Sequence, residues 1–535
     1  MEKIAIIGTG PTGIYTLFSL LDSKIPLCIS LFEKASLAGV GMPYREDDNS
    51  NLMLANIASI EIPPLTSTYL QWLREQDKTF LARFGVNKET LHDRQFLPRI
   101  LLGQYFKDQF LALVDLAADR GFKVSVYKSC QVTDLQASAQ GVKLWAAGIK
   151  DAQLFNFAVI ATGHVWPDDA KATQHYFPSP WSGLLGTQVA AGKIGIMGTS
   201  LSAIDAAMAV LAQHGEFLED NDNTLRFDLA PASKDLSITL MSRSGILPEA
   251  DFYCPIPYEP LMVVTSQAIE HEIATGAKGL LDRIFNLVCK EITLADPIWS
   301  KRVSLNTLDA DHFSCAYFKD RERYDSFRWA QYNLAEVERN RQERRTVAWR
   351  YTILRLHEAV QAIVPHLDDT DRERFMQGLC KVFIDNYAAI PPESIRRLLA
   401  LRDAGVIDIL ALGHNYAMDL QEERTVILRC GKRHTFDVFI DARGQRSLQT
   451  KDLPFPRLRQ QLLLASEDTP QLGDDYILLA PDVARGRIAL AALPYLMQDQ
   501  PFVQGITASA EIGEAISRAV IENAVCTRAS RNLFC

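Results

Sequence analysis

The fold is decided by residues Lys3 to Lys34, KIAIIGTGPTGIYTLFSLLDSKIPLCISLFEK. The first residues are apolar and β-branched, which predicts a buried parallel strand, and a G-x-G-x-x-G turn then leads into an apolar helix. Such a turn needs glycine to reverse the chain, to let the backbone approach a pyrophosphate and to pack the helix on the strand. The turn residues that we expect to bind a cofactor are Gly8, Gly10, Pro11, Thr12 and Gly13.

A second predicted strand, Leu27 to Phe32, leads directly to Glu33 and Lys34. An acid about twenty residues beyond the third glycine is placed to accept a hydrogen bond from a ribose hydroxyl. The start of the helix offers free N–H groups to phosphates. A glycine-rich turn alone is common, but here strand, helix, second strand and acid follow in register. The stretch therefore predicts a dinucleotide site, with a purely structural turn as the alternative.

The composition is that of a large globular protein. The chain has 535 residues, which corresponds to about three folding units. Hydrophobic residues make up 47% and charged residues 23%, and the net charge of −9 argues against a nucleic-acid-binding surface. The sequence contains no run of about eighteen apolar residues and no secretion signal, so we expect no membrane span.

The cysteines indicate a reducing compartment. The nine cysteines are scattered, odd in number and free of any C-x-x-C pair. This pattern argues against a disulfide framework and against a zinc site. It also excludes the redox-active dithiol of a disulfide reductase. We therefore expect a cytoplasmic protein without a metal site.

An irregular stretch of 28 residues, Leu37 to Pro64, follows the acid. Loops of this length inside a domain are usually functional. Gly41 in this stretch either brings backbone against a flat cofactor or forms an ordinary turn. Arg99 lies near the start of the next long predicted helix, Phe96 to Asp119. It offers fixed, charged donors for a pyrophosphate or a substrate carboxylate, although surface arginines outnumber such ligands.

From Phe122 onward the hydrophobic period changes to two, beginning with VSVYKS, which predicts a β-meander. The meander ends in an apolar strand and Ala161-Thr162-Gly163. Small residues at the end of a strand let bare backbone meet a bound dinucleotide. ATG alone is a common tripeptide, but after this strand-helix-strand unit it is a second signature of the site.

Residues Lys193 to Gly198, KIGIMG, repeat the opening pattern. Ser200 stands near the second glycine position and can donate to a phosphate or cap the helix. The next strand, Leu236 to Met241, leads to Arg243, and an arginine at this position suits the 2′-phosphate of NADP. The connection before that strand is long and acidic. The alternative to a nicotinamide nucleotide site is a degenerate second unit that only completes the sheet.

Two further segments lie beyond this unit. The proline-rich, aromatic segment Ile246 to Leu261 either walls a substrate pocket or packs over a domain seam. Ser266 to His366 is strongly helical, and its arginines alternate with glutamates as on a solvated helix face. We expect this region to be a helical insertion that covers the active site and selects the substrate.

Two late stretches complete the pattern. Asp441, Ala442, Arg443 and Gly444 repeat the position of ATG, and Arg443 and Arg446 add positive charge near the returning sheet. Together with Arg99 they suggest an anionic substrate, or they neutralise phosphate. Residues 501–518 predict a glycine-bearing turn and a helix whose first N–H donors can face an electron-rich flavin carbonyl.

These motifs together resemble the flavoproteins with two dinucleotide-binding domains. They are GTGPTG with Glu33, ATG at Ala161, GTSLS at Gly198, DARG at Asp441 and QGITASAEIG near the C-terminus. The stretches GVGMPY, LANIASIEIPP, RQFLPRILLGQYF and VIATGHVWP narrow the resemblance to an FAD/NAD(P)-binding family and extend it over essentially the whole chain.

The resemblance implies an α/β fold with two Rossmann-like domains, β-meanders and a large helical insertion. The first of the two domains resembles the FAD domain of glutathione reductase. We expect an FAD-binding domain over 1–190, an NAD(P)-type unit over 191–260, and a helical insertion over 261–405. Residues 406–535 then supply return strands to both units and a flavin-side C-terminal helix.

The resemblance also implies the cofactors, FAD and either NADP or NAD, and their binding residues. The first glycine turn and Glu33 would hold the ADP part of FAD. The backbone of Val132 would meet the adenine, and Thr162 and Gly163 would line the cofactor. The residues implied near the isoalloxazine are Gln504, Gly505 and Thr507.

The implied function is that of an FAD-dependent oxidoreductase reduced by NAD(P)H. Electrons would pass to oxygen or to a small polar or anionic substrate, and monooxygenation is one form of this reaction. The stretch HYFPSPWSG contains the His and Trp of the class B monooxygenase linker motif, but without its spacing. A second hypothesis is a flavin dehydrogenase or oxidase with a vestigial nicotinamide site, in which His164 would be the base near the flavin. Arg443 is the other candidate catalytic residue. A third is a flavin-binding regulatory protein without turnover, which only the charged insertion supports.

Overall fold

The structure is a computed structural model that describes residues 1–220, 224–465 and 467–533. Its first part contains the predicted strand-turn-helix unit, two short helices, one long helix and the meander. The strands are β1 (Lys3–Ile7), β2 (Cys28–Phe32), β3 (Lys123–Tyr127), β4 (Val132–Ser138), β5 (Gly141–Ala146), β6 (Gln153–Phe155), β7 (Phe157–Ile160) and β8 (Tyr176–Phe177). The helices are α1 (Pro11–Leu20), α2 (Tyr69–Glu75), α3 (Lys78–Ala82) and α4 (Arg99–Asp119).

The second glycine-rich unit and the helical insertion follow. The unit contains β9 (Lys193–Met197), α5 (Leu201–Leu211), β10 (Gly215–Glu219), β11 (Leu225–Leu229) and β12 (Ser237–Ser242). The insertion consists of α6 (Ser266–Thr275), α7 (Leu280–Ala295), α8 (Pro297–Arg302), α9 (Phe313–Arg323), α10 (Ser326–Glu343), α11 (Ala348–Gln361), α12 (Asp369–Gln377), α13 (Leu379–Tyr387) and α14 (Pro392–Asp403).

The last part of the chain returns to both sheets. Its strands are β13 (Ile407–Ala411), β14 (Tyr416–Leu420), β15 (Thr425–Arg429), β16 (Lys432–Phe436), β17 (Val438–Asp441) and β18 (Ile488–Leu490). Its helices are α15 (Pro456–Leu464), α16 (Leu493–Leu496) and α17 (Gly505–Leu533).

The first sheet is parallel and has the order β18-β7-β1-β2-β3. Ile6 in the central strand pairs with Leu31 on one side and Val159 on the other. The apolar run of β1 is buried on both faces, as expected for a strand in a covered parallel sheet. The carboxyl ends of β1, β2, β7 and β18 therefore meet at one edge.

One part of the predicted meander belongs to this sheet instead. The residues VSVY of this stretch lie in β3, which pairs in parallel with β2. The antiparallel meander contains only β4, β5 and β6. Alternation along an edge strand does not distinguish a parallel partner from an antiparallel one, because only one face of such a strand is covered.

The second sheet has the order β13-β12-β9-β17-β8 and is also parallel. β8 belongs to it because it pairs with β17, although β8 precedes the boundary that we expected after residue 190. The acidic connection before β12 contains the hairpin of β10 and β11. A second antiparallel meander, β14 to β16, precedes β17.

The helical insertion has a hydrophobic core of its own. In α7, Leu281, Phe285, Val288 and Ile292 are buried at spacings of three and four residues, so one face of the helix is apolar. This face packs in a cluster that includes Phe383 of α13.

The predicted fold class, two Rossmann-like units with meanders and a large helical insertion, is confirmed. No helix within the described ranges is both long and apolar enough to span a membrane.

The C-terminal helix closes the first unit by packing on α1. A Cβ atom at Gly513 would lie 2.7 Å from the backbone nitrogen of Thr16. The Ser517 hydroxyl donates to the Thr16 carbonyl oxygen at 3.0 Å. Because the two helix backbones approach so closely, α17 is an integral layer of the first unit.

A buried ion pair joins the two units. Arg99 Nη1 lies 2.7 Å from Asp205 Oδ2, and these side chains are 13% and 9% exposed. Arg397 Nη1 adds a hydrogen bond of 2.6 Å to the Leu52 carbonyl oxygen. Burial raises the pKa of Asp205, and the neighbouring Arg99 opposes that rise. These contacts hold the first unit against α5 and α14.

The contact between α1 and α17 predicts the effect of a larger residue. Gly513→Val should lower the free energy of unfolding by about 2 kcal/mol, because overpacking costs about 1–3 kcal/mol. Chemical denaturation measures the change. Glu514→Val is the control, since Glu514 is 65% exposed and the loss of its surface ion pair should cost about 1 kcal/mol at most. Equal losses in the two variants would contradict the close approach.

The buried ion pair predicts a pH-dependent loss of stability. Arg99→Met leaves the Asp205 carboxylate buried without its partner, which should cost about 3 kcal/mol near pH 8. The folded-state pKa of Asp205 then lies further above its unfolded value, so stability falls as pH rises between the two values. Denaturation should show a smaller loss near pH 5.5 than near pH 8.

The double variant with Asp205→Asn serves as the control for this effect. It removes the buried charge, so it should recover stability near pH 8 and abolish the pH dependence. A loss of the same size at both pH values in Arg99→Met would show that the charge of Asp205 is not the cause.

Candidate cofactor sites and substrate cavity

The first glycine turn lies at the carboxyl end of β1, where β7 ends beside it. Gly8 has a φ of +104°, and a Cβ atom there would lie 2.2 Å from the carbonyl oxygen of Ala161. A Cβ atom on Gly13 would lie 2.2 Å from the carbonyl oxygen of Gly8. Packing therefore requires both glycines, and the turn lies directly against the start of the ATG segment.

Gly10 and Gly41 bring two bare backbone segments together at the start of α1. Gly10 precedes the first helical residue, Pro11. Gly41 has a φ of +82°, and a Cβ atom there would lie 3.1 Å from the Gly10 Cα and 3.0 Å from the Pro11 Cδ. Bare backbone at a helix N-terminus is suited to a pyrophosphate. The residues of this turn therefore fit a dinucleotide.

Glu33 lies at the carboxyl end of β2 with its carboxylate held in one orientation. Its Oε2 accepts hydrogen bonds from Thr9 Oγ1 at 2.7 Å and from Thr9 N at 3.2 Å. Its Oε1 accepts one from Ala35 N at 2.9 Å. A carboxylate has about four acceptor positions, so capacity remains for a ribose hydroxyl. Lys34 is exposed beside it.

Val132 begins the meander close to this acid. The N–H group of Cys130 donates to the Glu33 carbonyl oxygen at 2.8 Å, which places the start of β4 beside the end of β2. The side chain of Val132 is buried, and the register shifts between Val132 and Asp134. The contact of the Val132 backbone with an adenine stays a prediction.

The ATG segment leads into an aromatic stack. Thr162 is exposed and Gly163 has a φ of +69°. His164 stacks on Trp166, with ring centroids 5.9 Å apart, and Trp166 stacks on Trp181 at 4.6 Å. Burial lowers the pKa of His164, which favours the neutral imidazole. Its buried Nδ1 has no hydrogen-bond partner among the described residues.

The start of α17 lies beside the start of α1. The Thr12 hydroxyl donates to Ser509 Oγ at 3.1 Å, so the first turns of the two helices are neighbours. Each helix N-terminus carries a partial positive charge, and the two together favour an anion at this edge. The predicted flavin-side residues Gln504, Gly505 and Thr507 are exposed there.

The second glycine turn has the same construction. Gly198 has a φ of +137°, and a Cβ atom there would lie 2.9 Å from the Ala442 carbonyl oxygen. Thr199 Oγ1 donates to Ser242 Oγ at 3.1 Å, which ties the end of β12 to the turn. Ser200 is exposed at the N-cap position of α5. The link between Thr199 and Ser242 was missed in the sequence, because it joins residues far apart in the chain.

Two further candidates lie at the carboxyl edge of the second sheet. Arg243 follows β12 and is exposed, and its carbonyl oxygen accepts a hydrogen bond from Gly413 N at 2.9 Å. Gly444 follows β17 with a φ of +87°. Dinucleotides bind at this edge in doubly wound folds. The positions of both residues therefore suit a nucleotide.

The three arginines expected around an anionic substrate do not come together. Arg99 is buried in its ion pair between the two units. Arg443 Nη2 lies 2.6 Å from Asp441 Oδ2, so this pair neutralises itself. Arg446 has an 83% exposed side chain. Arg99 and Arg443 therefore each have a carboxylate partner already, and their roles in ligand binding and catalysis stay predictions.

A cavity of about 70 Å³ lies where the two units and the helical insertion meet. The proline-rich segment forms one wall of this cavity. Of its two interpretations from the sequence, this position agrees with the one in which the segment walls a pocket. The lining residues are Asn56, Ala58, Glu61, Arg94, Phe96, Asp251, Phe252, Tyr253, Cys254, Ile256, Tyr258, Arg341, Leu354, Asn386, Tyr387 and Ala389.

Buried amides in this cavity are unpartnered. Asn386 is 2% exposed, and within the described part of the chain neither its amide nitrogen nor its amide oxygen has a hydrogen-bond partner. The same holds for Asn56 Oδ1. An unsatisfied buried polar group costs about 1–3 kcal/mol, so such groups call for an explanation. A polar ligand in the cavity would satisfy them.

Two carboxylates also line the cavity. Burial and the nearby charge of Glu61 raise the pKa of Asp251 to about 7. Burial raises the pKa of Glu61 as well. Arg341 Nη2 lies 4.0 Å from Asp251 Oδ2, too far for a hydrogen bond. A carboxyl group with a raised pKa is suited to taking up or releasing a proton near neutral pH.

The cavity adjoins the predicted flavin side. The ring of Tyr387, which lines the cavity, packs edge-to-face on Phe502 with ring centroids 6.0 Å apart, two residues before Gln504. The sequence analysis missed Asn56, Asp251 and Asn386. No local motif marks them, because three separate parts of the chain contribute them. Within the described ranges, no group of three or more His, Cys, Asp or Glu residues is arranged to hold a metal ion.

Comparison with known families accounts for two parts of the chain. Residues 5–165 match the FAD-NAD(P)-binding family, and residues 265–387 match the YdhS-like middle domain. The uncharacterized protein YdhS of Escherichia coli strain K12 is 61% identical over 533 residues, which cover 100% of this chain and 99% of the relative. The second match lies within the predicted helical insertion.

Two solved structures share the fold. The ornithine N-hydroxylase KtzI of Kutzneria sp. 744, with reduced FAD, NADP+ and L-ornithine, has a TM-score of 0.50 and 13% identity, over 98% of this chain and 100% of that chain. The ornithine hydroxylase PvdA of Pseudomonas aeruginosa has a TM-score of 0.51 and 11% identity, over 97% and 99%. Similarity at this level of identity shows the fold alone.

The match to the FAD-NAD(P)-binding family and the identity to the relative confirm the predicted family resemblance and the predicted cofactors, FAD and NADP or NAD. The alignment with this relative covers the whole chain, so it includes the first unit, the second unit and the insertion. The chain belongs to the YdhS family of FAD/NAD(P)-binding proteins.

Proposed function

We propose that this protein is an FAD-dependent oxidoreductase that NAD(P)H reduces and that passes electrons to oxygen or to a small polar substrate. The observation that carries this proposal is the cavity with the unpartnered amide of Asn386, whose neighbour Tyr387 packs on Phe502 just before the predicted flavin-side residues. A cavity with a few convergent polar groups next to a cofactor site is the usual form of a substrate site. Hydroxylation of the substrate is one form of the proposed reaction.

The first unit is the proposed FAD site. The chemistry that FAD supplies when it is bound is hydride acceptance and electron transfer. The start of α1 would hold the pyrophosphate, and the oriented carboxylate of Glu33 would accept a ribose hydroxyl. The N-terminus of α17, which begins at Gly505, would stabilise negative charge on a group facing it.

The second unit is the proposed site for NAD(P)H. The exposed hydroxyl of Ser200 and the start of α5 would hold the phosphates, and Arg243 would lie at the adenosine end. The similar construction of the Gly8 and Gly198 turns supports this assignment, since both pack against the segment that follows a returning strand.

The cavity residues have distinct proposed roles. The Asn386 amide would both donate to and accept from the substrate, and Asn56 Oδ1 would accept. Asp251 would take up or release a proton at its carboxylate, since its pKa lies at about 7. These groups would orient a polar substrate and move its proton, while the aromatic walls exclude water.

One observation favours a second function. His164 Nδ1 is buried and unpartnered among the described residues, and it directly follows the ATG segment. In a flavin dehydrogenase this neutral nitrogen would accept a substrate proton as the substrate itself donates hydride. The second glycine unit would then have no catalytic use.

Anaerobic mixing in a stopped-flow instrument separates these functions. We expect NADPH or NADH to remove the flavin absorbance band of the FAD-loaded protein. Arg243→Ala should slow reduction by NADPH about tenfold at low nucleotide concentration, since charged hydrogen bonds are worth about 1.5–3 kcal/mol. Arg433→Ala changes an exposed residue of β16 and is the matched control. If neither nucleotide reduces the flavin, the first function is refuted. The remaining candidates are then substrates that reduce the flavin directly.

The unpartnered amide predicts a gain in stability. Asn386→Leu removes a buried polar group without a partner, so it should raise the free energy of unfolding by about 1 kcal/mol. Asn333→Leu is the matched control: Asn333 is equally buried, but its Oδ1 accepts a hydrogen bond from Ala250 N at 2.7 Å. This control should lose stability, since it leaves that N–H group unpaired.

Thermal or chemical denaturation compares the two variants. If Asn386→Leu loses as much stability as Asn333→Leu, Asn386 has a structural partner and is not held ready for a ligand. Once a substrate is known, Asn386→Leu should also raise its KM, as expected where function requires an unsatisfied group.

A further inference from the structure

The charged side chains that line the cavity balance one another. Glu61 and Asp251 are carboxylates, Arg94 and Arg341 are guanidiniums, and in their ionised forms the charges sum to zero. Arg341 Nη2 lies 4.0 Å from Asp251 Oδ2, and Arg94 Nη1 donates to the Cys254 carbonyl oxygen at 2.9 Å. A ligand with a net charge would leave this set unbalanced away from water, where an unpaired charge is costly. The cavity therefore favours a neutral ligand.

Three uncharged side chains of the cavity lack hydrogen-bond partners. Among the described residues, neither the amide nitrogen nor the amide oxygen of Asn386 has a partner, and the same holds for Asn56 Oδ1 and for the Tyr387 hydroxyl. Asn386 is 2% exposed, so water does not reach its amide freely. The capacity that the cavity leaves unused is therefore hydrogen bonding to uncharged groups.

The amide of Asn386 defines the shape of the group that would satisfy it. A terminal amide offers a donor and an acceptor side by side in one plane. A cis-amide edge, in which an N–H group and a carbonyl oxygen point the same way, satisfies both atoms at once. An asparagine side chain pairs with the edge of adenine by two hydrogen bonds in the same way. An ammonium group only donates and a single hydroxyl group rotates, so neither matches this fixed edge.

The helix that carries Asn386 is fixed on both sides of this residue. Asp385, one residue before it, forms an ion pair with the buried Arg321. Tyr387, one residue after it, packs its ring on Phe502. A group that is already held in place loses little conformational entropy when a ligand binds. The amide is thus preorganised for a partner.

The rest of the cavity suits a small flat molecule. Its lining includes the aromatic rings of Phe96, Phe252, Tyr253 and Tyr258. Its volume of about 70 Å³ admits a molecule of roughly five to seven non-hydrogen atoms, because about 10–15 Å³ admits one water molecule. The Tyr387 hydroxyl can donate to the second lone pair of a carbonyl oxygen that the Asn386 amide already binds.

We propose that the cavity binds a small neutral molecule through a cis-amide edge, as in a lactam, a cyclic imide or a nitrogen heterocycle with adjacent N–H and C=O groups. The Asn386 amide makes the paired hydrogen bonds and determines specificity for this edge. Asn56 Oδ1 accepts from a further donor of the substrate. This inference rests on the proposed function, because it names the substrate class of the same cavity.

Isothermal titration calorimetry of the full-length, FAD-loaded, oxidised protein tests this proposal with a series of five-membered rings. 2-Pyrrolidinone carries the cis-amide edge, and freshly dissolved γ-butyrolactone has the same shape with an oxygen in place of the N–H group. Pyrrolidine and proline are the cationic and zwitterionic counterparts. We expect 2-pyrrolidinone to bind about tenfold more tightly than each of the others, because each of them leaves a buried amide atom unpaired or adds a charge.

A substitution assigns this preference to one side chain. In Asn386→Leu, the preference for 2-pyrrolidinone over γ-butyrolactone should fall from about tenfold to about twofold or less, since no amide remains to distinguish them. Gln331→Leu makes a comparable exchange at an exposed position of α10 and should keep the full preference. The probe series on the wild-type protein needs no variant, so it decides the proposal even if Asn386→Leu does not fold.

The outcomes separate this proposal from the proposed function, because the measurement uses oxidised protein without a nicotinamide nucleotide. The proposal is overturned if 2-pyrrolidinone does not bind, if any other member of the series binds as tightly, or if folded Asn386→Leu keeps the preference. If the preference holds but neither nucleotide reduces the flavin, the amide-binding site stands and the proposed oxidoreductase function fails. If a nucleotide reduces the flavin but the preference is absent, only the substrate class is wrong.

Discussion

The contact of Gly8 with the Ala161 carbonyl oxygen is the constraint on which the rest of the structure depends. A Cβ atom at Gly8 would lie 2.2 Å from that oxygen. The turn after the first strand is therefore in direct backbone contact with the end of a strand that is distant in the sequence. The same construction recurs at Gly198 and Ala442. Each proposed nucleotide site is thus an edge where bare backbone from two parts of the chain meets a helix N-terminus.

The helical insertion braces one side of the cavity at Asp251. Glu249 accepts one hydrogen bond from Trp329 Nε1 at 2.8 Å and forms an ion pair with Arg350 at 2.8 Å. The adjacent Asp251 is held by its backbone, whose N–H donates to the Ile390 carbonyl oxygen at 2.7 Å. A proton-exchanging group is most useful when its backbone cannot move, because its orientation then needs no ordering on binding. The network beneath the cavity supplies that rigidity.

The fold was largely predictable from the sequence, whereas the site was predictable only in part. The turn at Gly8 to Gly13 and the acid Glu33 follow from local spacing that the physics of a phosphate turn requires. Asn386 and Asp251 could not be predicted from the sequence. Only tertiary packing shows that an amide is buried without a partner. The ion pair of Arg99 was not predictable for the same reason: its partner Asp205 lies in another unit, and no local spacing in the sequence links the two residues.

The return of β18 and α17 to the first sheet has a consequence for synthesis on the ribosome. β7 emerges early, but its outer neighbour β18 and the layer formed by α17 belong to the end of the chain. At about 5–20 residues per second, the nascent first unit waits roughly a quarter of a minute to a minute for its last strand. A premature stop codon before this strand therefore removes the completed first unit, however intact the N-terminal glycine turn remains.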